Sequence, residues 1–256
     1  MIPAVATGIF DPTLFSVLIA VLGLVVGSFI TALSYRLPRG ESIAAGRSKC
    51  PSCGKVLGVF DLIPVLSWLA TRGRCRGCGA LVSWRYPAIE LVTMAMFLSA
   101  AILAPTLADL GLLLVVAGTL VTLGVIDLEH HRLPNALVAT LAIIMSIWRW
   151  RAGGADGFAL GVGTAVGVGV LAFAISALTR RSLLGPGDAK LLAAAAVGLP
   201  WWQFVVFTGI TGIFATVFVL LWQARGRGPE SPFGPTYAAG LWICLLYPEF
   251  YKSFAA

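Results

Sequence analysis

The run Leu184–Gly185–Pro186–Gly187–Asp188–Ala189–Lys190 sets a carboxylate, two glycines and a proline between two apolar segments, 158–179 and 189–199. Those segments are of membrane length or close to it. An ionisable group at membrane depth costs ~2.5–3.5 kcal/mol on insertion scales, so its presence calls for a reason. Working outward from this run, composition decides the fold class. The chain has 256 residues, of which 59% are hydrophobic and 11% charged, and its mean hydropathy is +0.93. A soluble domain carries about a quarter charged residues. The expected fold is therefore an all-α polytopic membrane protein, with the lipid bilayer as its first partner. The net charge of +7 is spread over short loops and forms no single stripe, which argues against nucleic acid as a partner.

The first uncharged run extends from Leu14 to Ser34. Asp11 precedes it while Arg36 and Arg39 follow, the reverse of a secretory signal, so a retained anchor with its N-terminus outside is expected. Further spans are expected at about 87–104, 110–127, 135–148, 158–179, 189–199, 203–223 and 235–250, making about eight. Two of them, 135–148 and 189–199, are short for a ~30 Å hydrocarbon core. Charge supports the count: with eight spans, fifteen of the eighteen Lys and Arg residues fall inside, and only Arg149, Arg151 and Lys252 fall outside. Removing either short segment would spoil that bias. The expected organisation is an anchor at 1–34, a polar insert at 35–86 and a helical bundle at 87–256. Gly23 and Gly27 suit close helix packing, and the same reading applies to Gly161, Gly163, Gly167 and Gly169.

The insert holds nine of the eighteen basic residues and four of the five cysteines. Cys50 and Cys53 form one Cys-x-x-Cys pair, Cys75 and Cys78 another, with 21 residues between the pairs. Such spacing reads as a zinc site, each pair a knuckle with Gly54 or Gly79 directly after it to permit the turn. Four thiolates would close the tetrahedral shell and leave no place for water, so this zinc would be structural. Thiol redox chemistry is the alternative, but it usually needs a single Cys-x-x-Cys opening a helix. Cys244 stands alone in an apolar run and reads as a buried small hydrophobe.

Asp188 has a candidate partner in Asp127, which ends the apolar run Leu112 to Ile126. Asp127 falls at a helix C-terminus, where the dipole disfavours an anion; Asp188 precedes the expected helix at Ala189, as an N-cap where the dipole favours one. With the eight-span topology both lie on the cytoplasmic side, as does the insert. Two carboxyls in unlike environments suit a dyad in which one donates a proton while the other activates water. If close, they share a proton and titrate as a pair. Gly185 and Gly187 would leave the backbone open to an extended substrate. Taken singly, Asp188 reads as well as a simple helix cap, and Asp127 as a simple interfacial residue, as either does as a catalytic group; together on one membrane face they favour catalysis. Lys190 reads as a snorkelling anchor or as a seat for a substrate carboxylate. Glu90 reads as a helix-start carboxylate or a seat for a substrate amine.

The chain resembles the type IV prepilin peptidases. The residues that carry the likeness are Asp127 with Pro134 seven positions on, Gly185–Pro186–Gly187–Asp188–Ala189–Lys190, Gly27–Ser28–Phe29, Tyr35–Arg36–Leu37–Pro38 and both cysteine pairs. Ile63–Pro64–Val65–Leu66–Ser67–Trp68 and Arg85–Tyr86–Pro87–Ala88–Ile89–Glu90 extend it over most of 27–195. Asp61, where Asn is common, and Ala189, where an aromatic is common, depart from the pattern. The resemblance implies an intramembrane aspartic endopeptidase of the bacterial inner membrane, with Asp127 and Asp188 as its catalytic pair and no metal in peptide hydrolysis. Its substrates would be prepilins or pseudopilins, cut at the cytoplasmic membrane boundary. It also implies N-methylation of the new terminus from S-adenosylmethionine, for which no binding residues are legible. A peptidase without methylation, and a proton- or cation-coupled transporter with a structural zinc module, are the alternatives.

Overall fold

Among the described residues of the computed structural model, 11–43, 46–179, 185–226, 228 and 231–246, the chain is helical with no strand beyond two isolated bridges. The helices are α1 (Pro12–Arg36), α2 (Leu66–Ala70), α3 (Arg85–Leu103), α4 (Leu107–His130), α5 (Asn135–Thr179), α6 (Pro186–Gly198), α7 (Trp201–Ala224) and α8 (Gly234–Leu246). Five stretches are long and apolar enough to cross a membrane: Pro12–Arg39, Arg85–Leu103, Leu107–His130, Asn135–Ile175 and Trp201–Ala224. The protein is a multi-pass, all-α membrane protein with an inserted cysteine-bearing module. Leu184 of the opening run, Arg180, Arg181 and the end of the last expected span lie outside the described residues.

Asn135–Ile175 covers two expected spans as two helical arms that meet at Gly154, where φ is 60° and ψ −154°. Glycine reaches that conformation without a Cβ clash. Across the break Arg149 Nε donates to the Gly157 carbonyl at 2.8 Å, and Trp150 meets Phe158 edge-on. The expected spans at 189–199 and 235–250 are represented by α6 and α8, of 13 residues each. At ~1.5 Å per residue such a helix covers roughly 20 Å, short of the core thickness.

The chain divides into two compact units, Met1–Thr122 and Leu123–Ala256, with the division inside α4. In the first unit α1 packs on α3 through its two glycines. A Cβ at Gly23 would lie 2.7 Å from Met94 Cα, and one at Gly27 would lie 2.6 Å from Glu90 Cα. Only hydrogen lets the backbones approach so closely. Near the polar end, Arg85 Nη2 donates to the buried Ser34 hydroxyl at 2.8 Å.

In the second unit both arms of α5 reach the C-terminal end of α6, Met145 against Gly198 and Gly161 against Val197. The glycine expectation holds at Gly161 alone: Gly163, Gly167 and Gly169 have nothing within 4 Å. Helix α7 meets α8 through Phe207 and Tyr237 and through a bond from Gln203 Nε2 to the Cys244 carbonyl at 2.7 Å. Cys244 is fully buried, as a small apolar residue.

Candidate active site and metal centre

Helix α4 stops because His131 turns left-handed, at φ 51°, with its N–H returning to the Asp127 carbonyl at 2.9 Å. Asp127 thus stands in the last turn, buried to 6% exposure. The repulsion expected there from the α4 dipole is answered by another helix. Gly234 opens α8, and its N–H donates to Asp127 Oδ2 at 2.7 Å; the Phe233 N–H also reaches the carboxyl. Free amides at a helix N-terminus are a natural seat for an anion. The seat requires glycine at 234, since a Cβ there would fall 2.9 Å from Asp127 Oδ2.

Asp188 does not cap α6. Gly185 is the N-cap and Pro186 the first helical residue, so the helix begins three residues earlier than expected. Proline's fixed φ and missing N–H suit the first helical position. Asp188 lies inside the first turn, half-buried, and its carboxyl accepts from the Gly185 N–H. Gly185 is exposed, whereas the space beside Gly187 is filled by Leu133, whose Cβ lies 3.3 Å from where a side chain would begin.

Asp127 and Asp188, 61 positions apart in the chain, are near enough to feel each other's charge, and the Tyr237 phenol of α8 feels that of Asp188. The second unit thus gathers the ends of α4, α6 and α8 about two carboxyls. Gly234 and Tyr237 were not singled out from sequence. The available signal was a repeat: Gly234–Pro235 opens α8 just as Gly185–Pro186 opens α6. Lys190 donates to Asn135 Oδ1 at 2.9 Å and borders an open apolar groove of about 420 Å³ lined by Ala139, Ala142, Ala193 and Val197.

In the first unit the four cysteines of the expected zinc site come together as a cluster that could hold a metal ion. The sulfurs of Cys50, Cys53, Cys75 and Cys78 all lie within 4.8 Å of one another. The Cys50 to Cys78 separation is 4.0 Å, against about 3.8 Å for the edge of a tetrahedron with 2.3 Å zinc–sulfur bonds. The two knuckles repeat the same bonds. Gly54 N donates to the Cys50 carbonyl and Gly79 N to that of Cys75, each at 2.9 Å, with φ of 70° and 72° at the two glycines. Amides of Cys53 and Ser52 pull the Cys50 thiol down to about 6, and those of Cys78 and Gly77 pull Cys75 down likewise. The neighbouring thiols push Cys53 the other way, up to about 11, so without a cation the four sulfurs do not ionise together; a metal that binds thiolate would supply the missing charge.

Glu90, 6% exposed on α3, is committed to a structural bond: Oε2 accepts from the Val65 N–H at 2.7 Å. Val65 has φ 59° and ψ −51°, and Leu66 N closes on the Pro64 carbonyl at 2.5 Å. This is a strained γ-turn for a β-branched residue, and the carboxylate holds it. No cation pairs with Glu90 among the described residues.

Comparison with known proteins places these sites in context. The Bacterial Peptidase A24 N-terminal domain matches residues 21–104, which include the four cysteines and Glu90. The Type IV leader peptidase family matches residues 114–220, which include both aspartates. A "Prepilin leader peptidase/N-methyltransferase" of Myxococcus xanthus (strain DK1622) is 38% identical over 88% of this chain and 68% of its own length. The chain belongs to the type IV leader peptidase family. Relatives of the same name from Aeromonas hydrophila and Dickeya chrysanthemi are 32% and 36% identical, over 92% and 90% of their lengths and 93% and 89% of this chain. No solved structure matches. The first family match lies within the first unit and holds the four cysteines; the second lies mostly within the second unit and holds both aspartates.

Proposed function

We infer that this member of the type IV leader peptidase family is an aspartic endopeptidase that removes the leader from prepilins or pseudopilins and N-methylates the terminus so formed. The observation that carries the peptidase reading is the pair itself. Asp127 and Asp188 interact from the ends of two helices, with backbone amides directed at both. In the proposed mechanism the pair shares one proton. Asp127, with two amide donors, is the better seat for the negative charge. The ionised carboxylate draws a proton from a water held between the two, and that water attacks the scissile carbonyl. The protonated partner donates to the carbonyl oxygen and, on collapse, the leaving amine takes a proton from the pair. No acyl-enzyme forms. Exposed Gly185 leaves backbone open beside Asp188 for an extended substrate, and Gly187 lets Leu133 close the other side.

Zinc in the Cys50, Cys53, Cys75 and Cys78 cluster is a structural ion in this reading, with all four positions taken by sulfur. S-adenosylmethionine is the methyl donor, supplying a sulfonium methyl to the new amine, and no residue here is assigned to bind it. The reading allots cleavage to 87–256 and the methylation-associated module to 35–86. It sets the protein in the bacterial inner membrane with its N-terminus outside and both centres cytoplasmic. The charge bias supports that orientation, and the break of α5 at Gly154 supports the span parity behind it.

Asp127→Asn and Asp188→Asn, each assayed for prepilin cleavage in detergent, test the reading. Each is expected to lose activity by about 10²–10⁴-fold, the worth of a general acid or base. Cleavage surviving in either variant would remove that residue from the dyad. A wild-type chain without cleavage would favour a transporter. For methylation, Asp127→Asn protein given pre-cleaved pilin and labelled methyl donor should still transfer label; silence would leave a peptidase only.

A further inference from the structure

We propose that the cysteine-bearing insert lies flat on the membrane, with its Val59–Leu69 edge seated among the headgroups of an anionic bilayer. This edge is unusual for a polar insert. Val59 is 78% exposed, Phe60 72%, Leu66 64% and Leu69 57%, with Leu62 and Ile63 exposed between them. Isolated exposed apolar residues are ordinary, but a run of them marks an interaction surface.

The module does not need these side chains for its own core. The cysteine cluster ties its two loops together, and α2 turns Trp68 inward, with Nε1 donating to the Val82 carbonyl at 3.0 Å and the ring against Gly73. Leu66 and Leu69, three apart on the same short helix, share a different face. They are left facing outward by the same geometry that turns Trp68 inward.

Three observations favour lipid as the occupant. First, the insert is anchored at both ends, running from the last turn of the α1 span to the first residue of the α3 span, so it stays at the height of the membrane surface. Second, both anchors carry the aromatic and arginine pairing of a membrane–water boundary. Trp84, 74% exposed, directly precedes α3, and Tyr35 ends α1 with the Arg39 guanidinium 3.8 Å over its ring. Third, residues 35–86 hold nine basic side chains and two acidic ones, Glu41 and Asp61, a net +7 that equals the charge of the whole chain. Apolar side chains flanked by Lys and Arg are the mixture that interfacial segments bring to anionic headgroups. The inference needs only the membrane spans and stands apart from the peptidase reading.

The test uses the full chain in nanodiscs of phosphatidylglycerol and phosphatidylcholine, with a photo-crosslinking phenylalanine analogue at position 60, 66 or 52. All three sites are exposed, and Ser52 lies in a polar knuckle. Probes at 60 and 66 are expected to give about tenfold more lipid adduct than the one at 52, because a side chain seated in the interface meets lipid continuously. That yield should fall when phosphatidylglycerol is replaced by phosphatidylcholine. Adducts to this chain, to a second copy or to an added prepilin in place of lipid would overturn the proposal. So would equal labelling at all three positions, or a yield indifferent to lipid charge.

Discussion

Gly234→Ala should disable the dyad without touching a carboxylate. The added methyl would begin 2.7 Å from Asp127 Cβ, 3.1 Å from Cγ and 2.9 Å from Oδ2. An ordinary carbon–carbon contact is about 3.5 Å, so α8 or Asp127 must give by about 0.8 Å. The bond at stake is the Gly234 N–H to Oδ2 contact, now 2.7 Å. A hydrogen bond to a charged group contributes about 1.5–3 kcal/mol, which corresponds to roughly 10–150-fold in rate. A misplacement near 1 Å costs about 10²-fold by itself, and the two effects describe the same displacement. We therefore expect kcat for prepilin cleavage to fall by roughly 30–100-fold. Gly163→Ala is the control, because a methyl there meets nothing within 4 Å and should leave cleavage unchanged. The assay is cleavage of purified prepilin in detergent at saturating substrate, with thermal unfolding run alongside. A Gly234→Ala chain that unfolds normally and cleaves within about threefold of wild type would refute the claim that α8 seats Asp127.

Gly27→Val would drive a side chain into the Glu90 backbone, 2.6 Å from where Cβ begins, and should lower the stability of the first unit by about 1–3 kcal/mol; unchanged thermal unfolding would contradict the packing. Glu90→Ala strands the Val65 N–H and should cost about 1–3 kcal/mol, while Glu90→Gln keeps an acceptor and should cost less; equal losses would show that the bond is not what matters. Protons compete with metal for thiolates, so zinc bound at neutral pH should be released as pH falls and the cysteine sulfurs protonate. A chromogenic chelator that collects zinc equally well at all pH values would argue against thiolate ligation.

The two principal sites differ in how much of them can be read from the chain alone. The cysteine cluster is almost wholly legible, because each knuckle is a local structure. Cys50 to Gly54 and Cys75 to Gly79 carry their ligands, their turn glycine and their amides within five residues. The proposed aspartate pair is half legible. Asp127 and Asp188 announce themselves as carboxyls beside apolar runs, yet nothing near either residue reveals Gly234 or Tyr237. Those arrive on α8, 107 positions beyond Asp127 in the case of Gly234. The expectation that Asp188 caps α6 failed because Pro186 starts the helix earlier. The expectation of glycine packing along the second arm of α5 failed because a pattern of small residues does not say which face meets a neighbour.

Sequence by itself determined the membrane class, most of the helical segments and the two cysteine pairs, and it singled out the two aspartates. Each of these rests on residue type and on spacings shorter than a helical turn or a bilayer width. Tertiary structure alone decided that a third helix brings its free amides to Asp127, that Val65 is held in a strained turn by Glu90, and that the insert keeps an apolar edge uncovered. A carboxylate's surroundings and a side chain's exposure are set by whatever the rest of the chain packs against them, and that information is not stored near the residue itself.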